Sequence, residues 1–328
     1  MPASLLYRKS IVSIRDLRRE QIDQILDVAD KLDHKRGVPG LLSDKILYVG
    51  TDEPSSRTIA SFCASAIRLG MPYYSVSDAG RISSFAKGES ISDSTRVDTK
   101  YFDLVVFRHK QPGSMQIMLD AIAKERREVN RIPLVSAGEA DIEHPTQGLL
   151  DALTFRQKLR RLDNLVIALA GDCKHSRTIR SLVFLLGLYH NIHLIFVSPP
   201  HLRMKDDLRA FLNLPTVQAR GITFVEVESL EDVVYRVDAL YMTRAQKERH
   251  SDLLSSDVYL ELTLQLAQRM RHDSIITHPL PRNSEIAVEV DALPQAVYLE
   301  EQLENGMRVR MACIILTMLE QVPPQLVN

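Results

Sequence analysis

The chain has 328 residues, and its 41 Lys and Arg against 42 Asp and Glu leave a net charge of -1. At roughly 100–200 residues per domain the length predicts two domains. The charge balance excludes a broad electrostatic role on nucleic acid or a membrane surface, while leaving room for a local basic pocket. The 45% hydrophobic and 25% charged content is that of an ordinary soluble globular chain. No apolar run approaches the ~18 residues that cross a bilayer, and the charged start Met1-Pro-Ala-Ser-Leu-Leu-Tyr-Arg-Lys9 is not followed by the apolar stretch of a secretory leader. Cys63, Cys173 and Cys313 are too few for a four-thiolate zinc site and too scattered for a disulfide framework, so a reducing, cytoplasmic setting is expected.

Residues 13–33 place Ile14, Leu17, Ile22, Ile25, Leu26, Ala29 and Leu32 at helical spacing behind Ser13, a capping residue, which predicts one helix. The run KILYV at 45–49 predicts a strand, 56–69 a helix closed by Gly70, and 73–76 a strand. A helix over 91–101, a strand over 104–107, a helix over 114–128 and a strand over 133–136 follow. A long helix is predicted over 145–162, with Pro145 suited to its first turn. The second series predicts strands over 165–170, 192–197, 223–227, 239–242 and 275–277, with helices over 176–189, 206–212, 256–270 and 300–319. Such alternation predicts parallel sheets covered on both faces. Two series joined by one helix predict two doubly wound α/β domains, divided near residues 145–150. Ligands of open parallel sheets gather at the carboxyl ends of the strands, so the loops that follow strands carry the functional signal.

Six of those loops carry polar chemistry. Glu53-Pro-Ser55-Ser56-Arg57-Thr58 opens a helix, where unpaired N–H groups, three hydroxyls and a guanidinium suit a phosphate; a Ser-capped helix with a surface Arg is the plainer reading. Arg108-His109 ends a strand, and a solvated strand end is its plainer reading. His144-Pro145-Thr146-Gln147 opens the long helix, where the dipole disfavours a charged imidazole and a neutral ring can donate to a carbonyl oxygen. Gly171-Asp172-Cys173-Lys174-His175-Ser176-Arg177-Thr178 sets another Arg at a helix start, without a GxGxxG dinucleotide signal. Met242-Thr-Arg244-Ala-Gln246-Lys-Glu-Arg249 is a basic segment after a strand. His278-Pro279-Leu280-Pro281-Arg282 fixes an extended backbone whose carbonyls can accept from a ligand amide. Taken together, these loops imply a small polyanionic ligand bound between two domains.

These segments, with Lys87-Gly-Glu-Ser90 and Tyr241 ahead of Met242, resemble the aspartate/ornithine transcarbamoylase family in order and spacing, from about residue 8 to residue 322. His-Pro-Thr-Gln and His-Pro-Leu-Pro resemble the aspartate branch and its catalytic chains, since the ornithine branch carries Cys in both corresponding loops; the Tyr-Met-Thr-Arg-x-Gln segment also points to a dicarboxylate acceptor. The resemblance implies transfer of the carbamoyl group of carbamoyl phosphate to the amine of L-aspartate, a step of pyrimidine biosynthesis, with no metal or cofactor. It implies a carbamoyl phosphate domain over 1–146, an aspartate domain over 147–299, and a C-terminal helix within 300–328 that returns to the first domain. Ser55, Ser56, Arg57 and Thr58 would hold the phosphate. Arg108, His144 and Thr58 would hold the carbonyl oxygen, and Gln147 with the backbone carbonyls of Pro279 and Leu280 the amide. Arg177, Arg244 and Gln246 would hold the aspartate carboxylates. Ser83 and Lys87 would reach in from a neighbouring copy, which implies a homotrimer with shared sites. Glu53, Arg177 and Arg249 would couple domain closure to binding, and the Leu280–Pro281 bond would be cis. A regulatory or pathway partner chain is left open.

The sequence departs from the family pattern around the phosphate. Thr51 and Asp52 stand where two Phe are usual, Ser56 replaces a Thr, Ile59 replaces an Arg, and Ala86 replaces a Lys. Asp52 adds a negative charge near a phosphate, and Ile59 and Ala86 each remove a cation. These departures keep two alternatives in view: a transcarbamoylase for another amine acceptor, and a catalytically weak paralogue that serves as a binding or regulatory subunit.

Overall fold

The computed structural model describes residues 2–53, 55–79, 88–244 and 260–327. The chain divides into two compact units, Met1–Leu150 with Glu304–Asn328, and Asp151–Leu303. In the first, strands β1 (Leu47–Thr51), β2 (Tyr73–Val76), β3 (Leu104–His109) and β4 (Leu134–Glu139) form a parallel sheet in the order β2-β1-β3-β4. Helices α1 (Arg19–Lys31), α2 (Ser56–Arg68), α3 (Ile91–Tyr101) and α4 (Ser114–Ala123) alternate with these strands. In the second unit β5 (Val166–Ala170), β6 (His193–Val197), β7 (Thr223–Val227), β8 (Ala239–Met242) and β9 (Ile275–Thr277) are also parallel, in the order β7-β6-β5-β8-β9. Its helices are α6 (Arg177–Leu186), α7 (Asp206–Leu212), α8 (Pro215–Gln218) and α9 (Leu264–Ala267). The divisions between units fall inside α5 (Pro145–Leu159) and α10 (Glu301–Met318).

Both sheets read as unbroken apolar runs at their centres, as parallel strands covered on both faces must. Leu47, Val49, Val105, Val106 and Leu134 are buried in the first, Ile167, Leu169, Ile195, Leu240 and Ile276 in the second. Each order also contains a reversal. The chain runs outward from β1 to β2, then crosses back to β3; it runs outward through β6 and β7, then crosses back to β8. At such a reversal the loops beyond the two strand ends part and leave a crevice. The residues placed there are those after β1 and β3, and those after β5 and β8.

Most strands and helices fall where periodicity places them, within a few residues. The helix expected over 13–33 is instead two pieces. A short 3-10 turn, Ile14–Asp16, is capped by Ser13, and the chain is extended at Leu17 and Arg18 before α1 begins. The sequence periodicity runs through this break because Ile14 before it and Ile22 and Ile25 after it are all buried. Of the helix expected over 256–270 only α9 lies within the described residues. The final helix ends at Met318, and the chain continues beyond it: Ala3 bridges Gln321, and the Ser4 amide donates to the Glu320 carbonyl at 2.8 Å. All three cysteines are buried free thiols, and burial pushes that of Cys313 up to about 12. Among the described residues no helix is long and apolar enough to cross a membrane, and no cluster of potential metal ligands occurs.

Candidate active site

In the first unit the reversal joins the ends of β1 and β3. The Asp52 amide donates to the Arg108 carbonyl at 2.9 Å, which extends the pairing one residue past the strand. Arg108 then turns its guanidinium to the loop after β1. Its Nε donates to Glu53 Oε1 at 2.5 Å and its Nη1 to Ser55 Oγ at 3.0 Å. Ser55 is the N-cap of α2, yet its side chain makes no cap hydrogen bond. Its hydroxyl serves Arg108 rather than the helix. Ser56 and Arg57 are exposed on the first turn of α2, and Thr58 is buried beneath them. A guanidinium, hydroxyls and a helix start thus converge where an anion is favoured. Thr51, just before this loop, has a buried hydroxyl with no hydrogen-bond partner.

His144 and Gln147, both buried, occupy the start of α5. The His144 carbonyl accepts the amides of Gln147 and Gly148, so His144 acts as the helix cap, and its Nδ1 lies 3.5 Å from Thr146 Oγ1. Two buried carboxylates that sequence reasoning missed hold this region. Glu143 accepts from Ser13 Oγ at 2.5 Å and the Ile14 amide at 2.9 Å, pinning the chain before His144 to the 3-10 turn. Glu139 accepts from Ser114 Oγ and the Met115 amide, each at 3.0 Å, and so caps α4. Only a carboxylate in an N-terminal position relative to a helix would have hinted at such caps, and neither Glu stands beside its helix in sequence.

In the second unit Gly171 follows β5 with φ +111°, and a side chain there would meet the Thr243 carbonyl at 2.1 Å. Only glycine allows this approach. It sets the loop carrying Asp172, His175 and Arg177 beside the loop carrying Arg244. Asp172 is buried and holds that loop from within: its Oδ1 accepts the His175 amide at 2.9 Å and lies 3.1 Å from His175 Nδ1. Arg177 is buried at the first position of α6, which Ser176 caps through the Ile179 amide.

The proline loop follows β9. His278 is buried; its Nδ1 accepts the Leu280 amide at 2.8 Å and its Nε2 donates to Glu285 Oε1 at 2.8 Å. Burial pushes this imidazole down further than Glu285 raises it, and the Arg282 and Arg244 cations add to the fall. Burial alone would push the Glu285 carboxyl up, but the His278 ring and the Asn283 amide outweigh it and hold the group below its ordinary range. The pair is therefore a neutral ring against a carboxylate. It fixes Leu280 at φ +55°, a conformation that costs a branched residue about 1–2 kcal/mol, and the Leu280–Pro281 bond is cis. Arg282 donates to Asp291, which also accepts from Tyr298. Pro279 and Leu280 are half-buried.

The first unit thus gathers Ser55, Arg108 and the start of α2, with His144 and Gln147 at the start of α5. The second gathers Arg177, Arg244 and the proline loop at its own strand ends. Ser83, Ala86, Lys87, Gln246 and Arg249 lie outside the described residues.

A family model described as "Aspartate/ornithine carbamoyltransferase, carbamoyl-P binding domain" matches residues 9–157, and its companion, "Asp/Orn binding domain", matches residues 163–317. The chain belongs to the aspartate/ornithine carbamoyltransferase family. Among relatives, the aspartate carbamoyltransferase catalytic subunit of Methanobrevibacter smithii is 39% identical over 322 residues, covering 96% of each chain. That of Chromobacterium violaceum is 38% identical over 320 residues, covering 97% of this chain and 100% of the relative. The crystal structure of aspartate transcarbamoylase from Trypanosoma cruzi in complex with carbamoyl phosphate and aspartate matches with a TM-score of 0.88 at 32% identity, over 97% of this chain and 99% of that one.

Proposed function

We propose that this carbamoyltransferase transfers the carbamoyl group of carbamoyl phosphate to the amine of L-aspartate, giving N-carbamoyl-L-aspartate and phosphate. The observation that carries the reading is Arg108, held between Glu53 and Ser55 at the start of α2. There a cation and hydroxyls meet a helix start, and the carboxylate partner is one that an incoming phosphate can displace. Ser55, Ser56, Arg57 and Thr58 hold the phosphate. Thr58, Arg108 and His144 donate to the carbonyl oxygen, Gln147 and the carbonyls of Pro279 and Leu280 accept or position the amide, and Arg177, Arg244 and Gln246 take the aspartate carboxylates.

The aspartate nitrogen attacks the carbamoyl carbon, and negative charge grows on the carbonyl oxygen. Donors fixed in advance around that oxygen lower the barrier most. The bond from carbon to the bridging oxygen then breaks, phosphate leaves toward Arg57 and Arg108, and the departing phosphate can take the amine proton. No metal or cofactor enters the scheme. Ser83 and Lys87 of a neighbouring copy complete the site, which makes the working form a homotrimer, and a cytoplasmic setting suits both substrates. The test is formation of carbamoyl aspartate from the two substrates, followed over serial dilution of the enzyme. Arg108→Ala is expected to lower kcat by roughly 100- to 1,000-fold, and dilution to monomer to abolish turnover. Saturable binding of carbamoyl phosphate without turnover would point to another acceptor, and a fully active monomer would remove the neighbour's residues from the site.

A further inference from the structure

Asp52 is buried to 5% exposure one residue before Glu53. At no more than ~3.6 Å per residue it lies within about 11 Å of Ser55, about one Debye length, over which a buried charge is only partly screened. Left alone, it would oppose that phosphate. It is answered from the end of β3: Lys110 Nζ lies 3.4 Å from its carboxylate. His109 is also near, with Nδ1 3.7 Å from Asp52 Oδ2, but that nitrogen accepts the Gln111 amide at 3.0 Å and burial pushes the ring toward its neutral form. The charge on Asp52 is therefore balanced by Lys110. The same residue grips both neighbours of His109, its amide on the Arg108 carbonyl and its carboxylate on Lys110. A cleft of about 490 Å³ opens beside the pair, and Glu89, which lines it with them, adds a further negative charge.

We infer that Asp52 and Lys110 are a positioning pair for carbamoyl phosphate, in which Lys110 cancels the field of Asp52 at the phosphate loop and together they fix the strand end that presents Arg108. The inference rests on the reaction proposed above. As a positioning pair it is expected to act on affinity for carbamoyl phosphate more than on the chemical step.

The experiment compares the wild type, Lys110→Met, Asp52→Asn and the double variant in kcat, KM for each substrate, and affinity for inorganic phosphate by calorimetry. Lys110 is mostly exposed and Asn is isosteric with Asp, so all four proteins are expected to fold. Lys110→Met should raise KM for carbamoyl phosphate roughly five- to tenfold, as expected for one uncancelled charge near a dianion, and weaken phosphate to match. Its kcat and KM for aspartate should stay within about twofold of wild type, and adding Asp52→Asn should bring KM for carbamoyl phosphate back to that range. A packing role alone would not give rescue by a second substitution. An unchanged KM in Lys110→Met, or a double variant no better than Lys110→Met, overturns the inference. A wild type without turnover counts against the reaction itself, and the phosphate titrations then read the pair independently.

Discussion

The loop after β3 and the loop after β9 hold their key groups in opposite ways. Arg108 is paired with Glu53 by side chains that are 12% and 16% exposed, a contact that water and ligands can reach. His278 and Glu285 are sealed at 0% and 7%, with the imidazole neutral and both ring nitrogens engaged. The first arrangement keeps a cation oriented by a carboxylate that an anionic ligand can replace. The second locks the backbone of the proline loop, whose carbonyls carry no charge. Under the proposed reaction, the charged end of the ligand would meet an exchangeable partner and its amide a rigid one.

Three substitutions test this contrast. The largest effect is expected from Glu285→Ala, which leaves the buried His278 ring N–H without its acceptor and frees the Asn283 amide. Stability should fall by about 2–3 kcal/mol, and kcat/KM for carbamoyl phosphate by roughly 100-fold as the Leu280 carbonyl loses its place. Glu285→Gln, which keeps an acceptor, should recover most of both, as thermal unfolding and steady-state kinetics would reveal; equal damage from Ala and Gln would mean that charge, not position, matters there. A smaller effect of opposite sign is expected at the exchangeable partner. Glu53→Gln should bind inorganic phosphate about three- to tenfold more tightly in calorimetry, because a charged competitor for Arg108 is gone; weaker binding would show that Glu53 orients Arg108 more than it competes.

The smallest effect concerns a carboxyl outside both loops. In the second unit the buried Asp238 is matched by Arg161 at 2.9 Å, Arg271 at 2.8 Å and the Val166 amide at 2.7 Å. In the first, no cation answers Asp98 on α3 among the described residues, and burial, with Glu89 nearby, pushes its carboxyl from 3.8 up to about 7. A raised acid makes the folded state bind more protons than the unfolded one between those two values, so stability falls as pH rises through that window. Asp98→Asn should therefore raise stability at pH 8 by about 1 kcal/mol after allowance for partial exposure, and change little at pH 4. Melting temperatures at the two pH values decide the matter, and equal shifts at both would argue that repacking, not ionisation, is responsible.

Sequence made the scaffold legible wherever one local rule dominates. Ile91–Tyr101, behind the capping Ser90, and the apolar run Ala239–Met242 fall where periodicity puts them. The break at Leu17 and Arg18 was hidden because buried residues on either side keep helical spacing. The site was legible as separate polar loops, since each follows a strand. Its internal pairings were not: Glu53 meets Arg108 because β3 pairs with β1 rather than β2, and strand order is a property of the whole sheet. Glu139, Glu143 and Glu285 look like surface acids in the sequence, and only the folded chain turns backbone amides toward them. Asp52 was read as an unfavourable charge beside a phosphate; its partner Lys110 lies 58 residues away in the chain.

The bridge between Ala3 and Gln321 has a consequence for synthesis. Most of the first unit precedes the second in the chain, but its last segment, 304–328, is made only after the whole of the second unit. At ~5–20 residues per second, that interval lasts roughly ten to thirty seconds. During it the first unit stands on the ribosome without the segment that carries the buried Val309, Ile314 and Leu316, while by its end the second unit has all of its strands. Of the two units, the one whose strands are made earlier is the one whose residues are completed later.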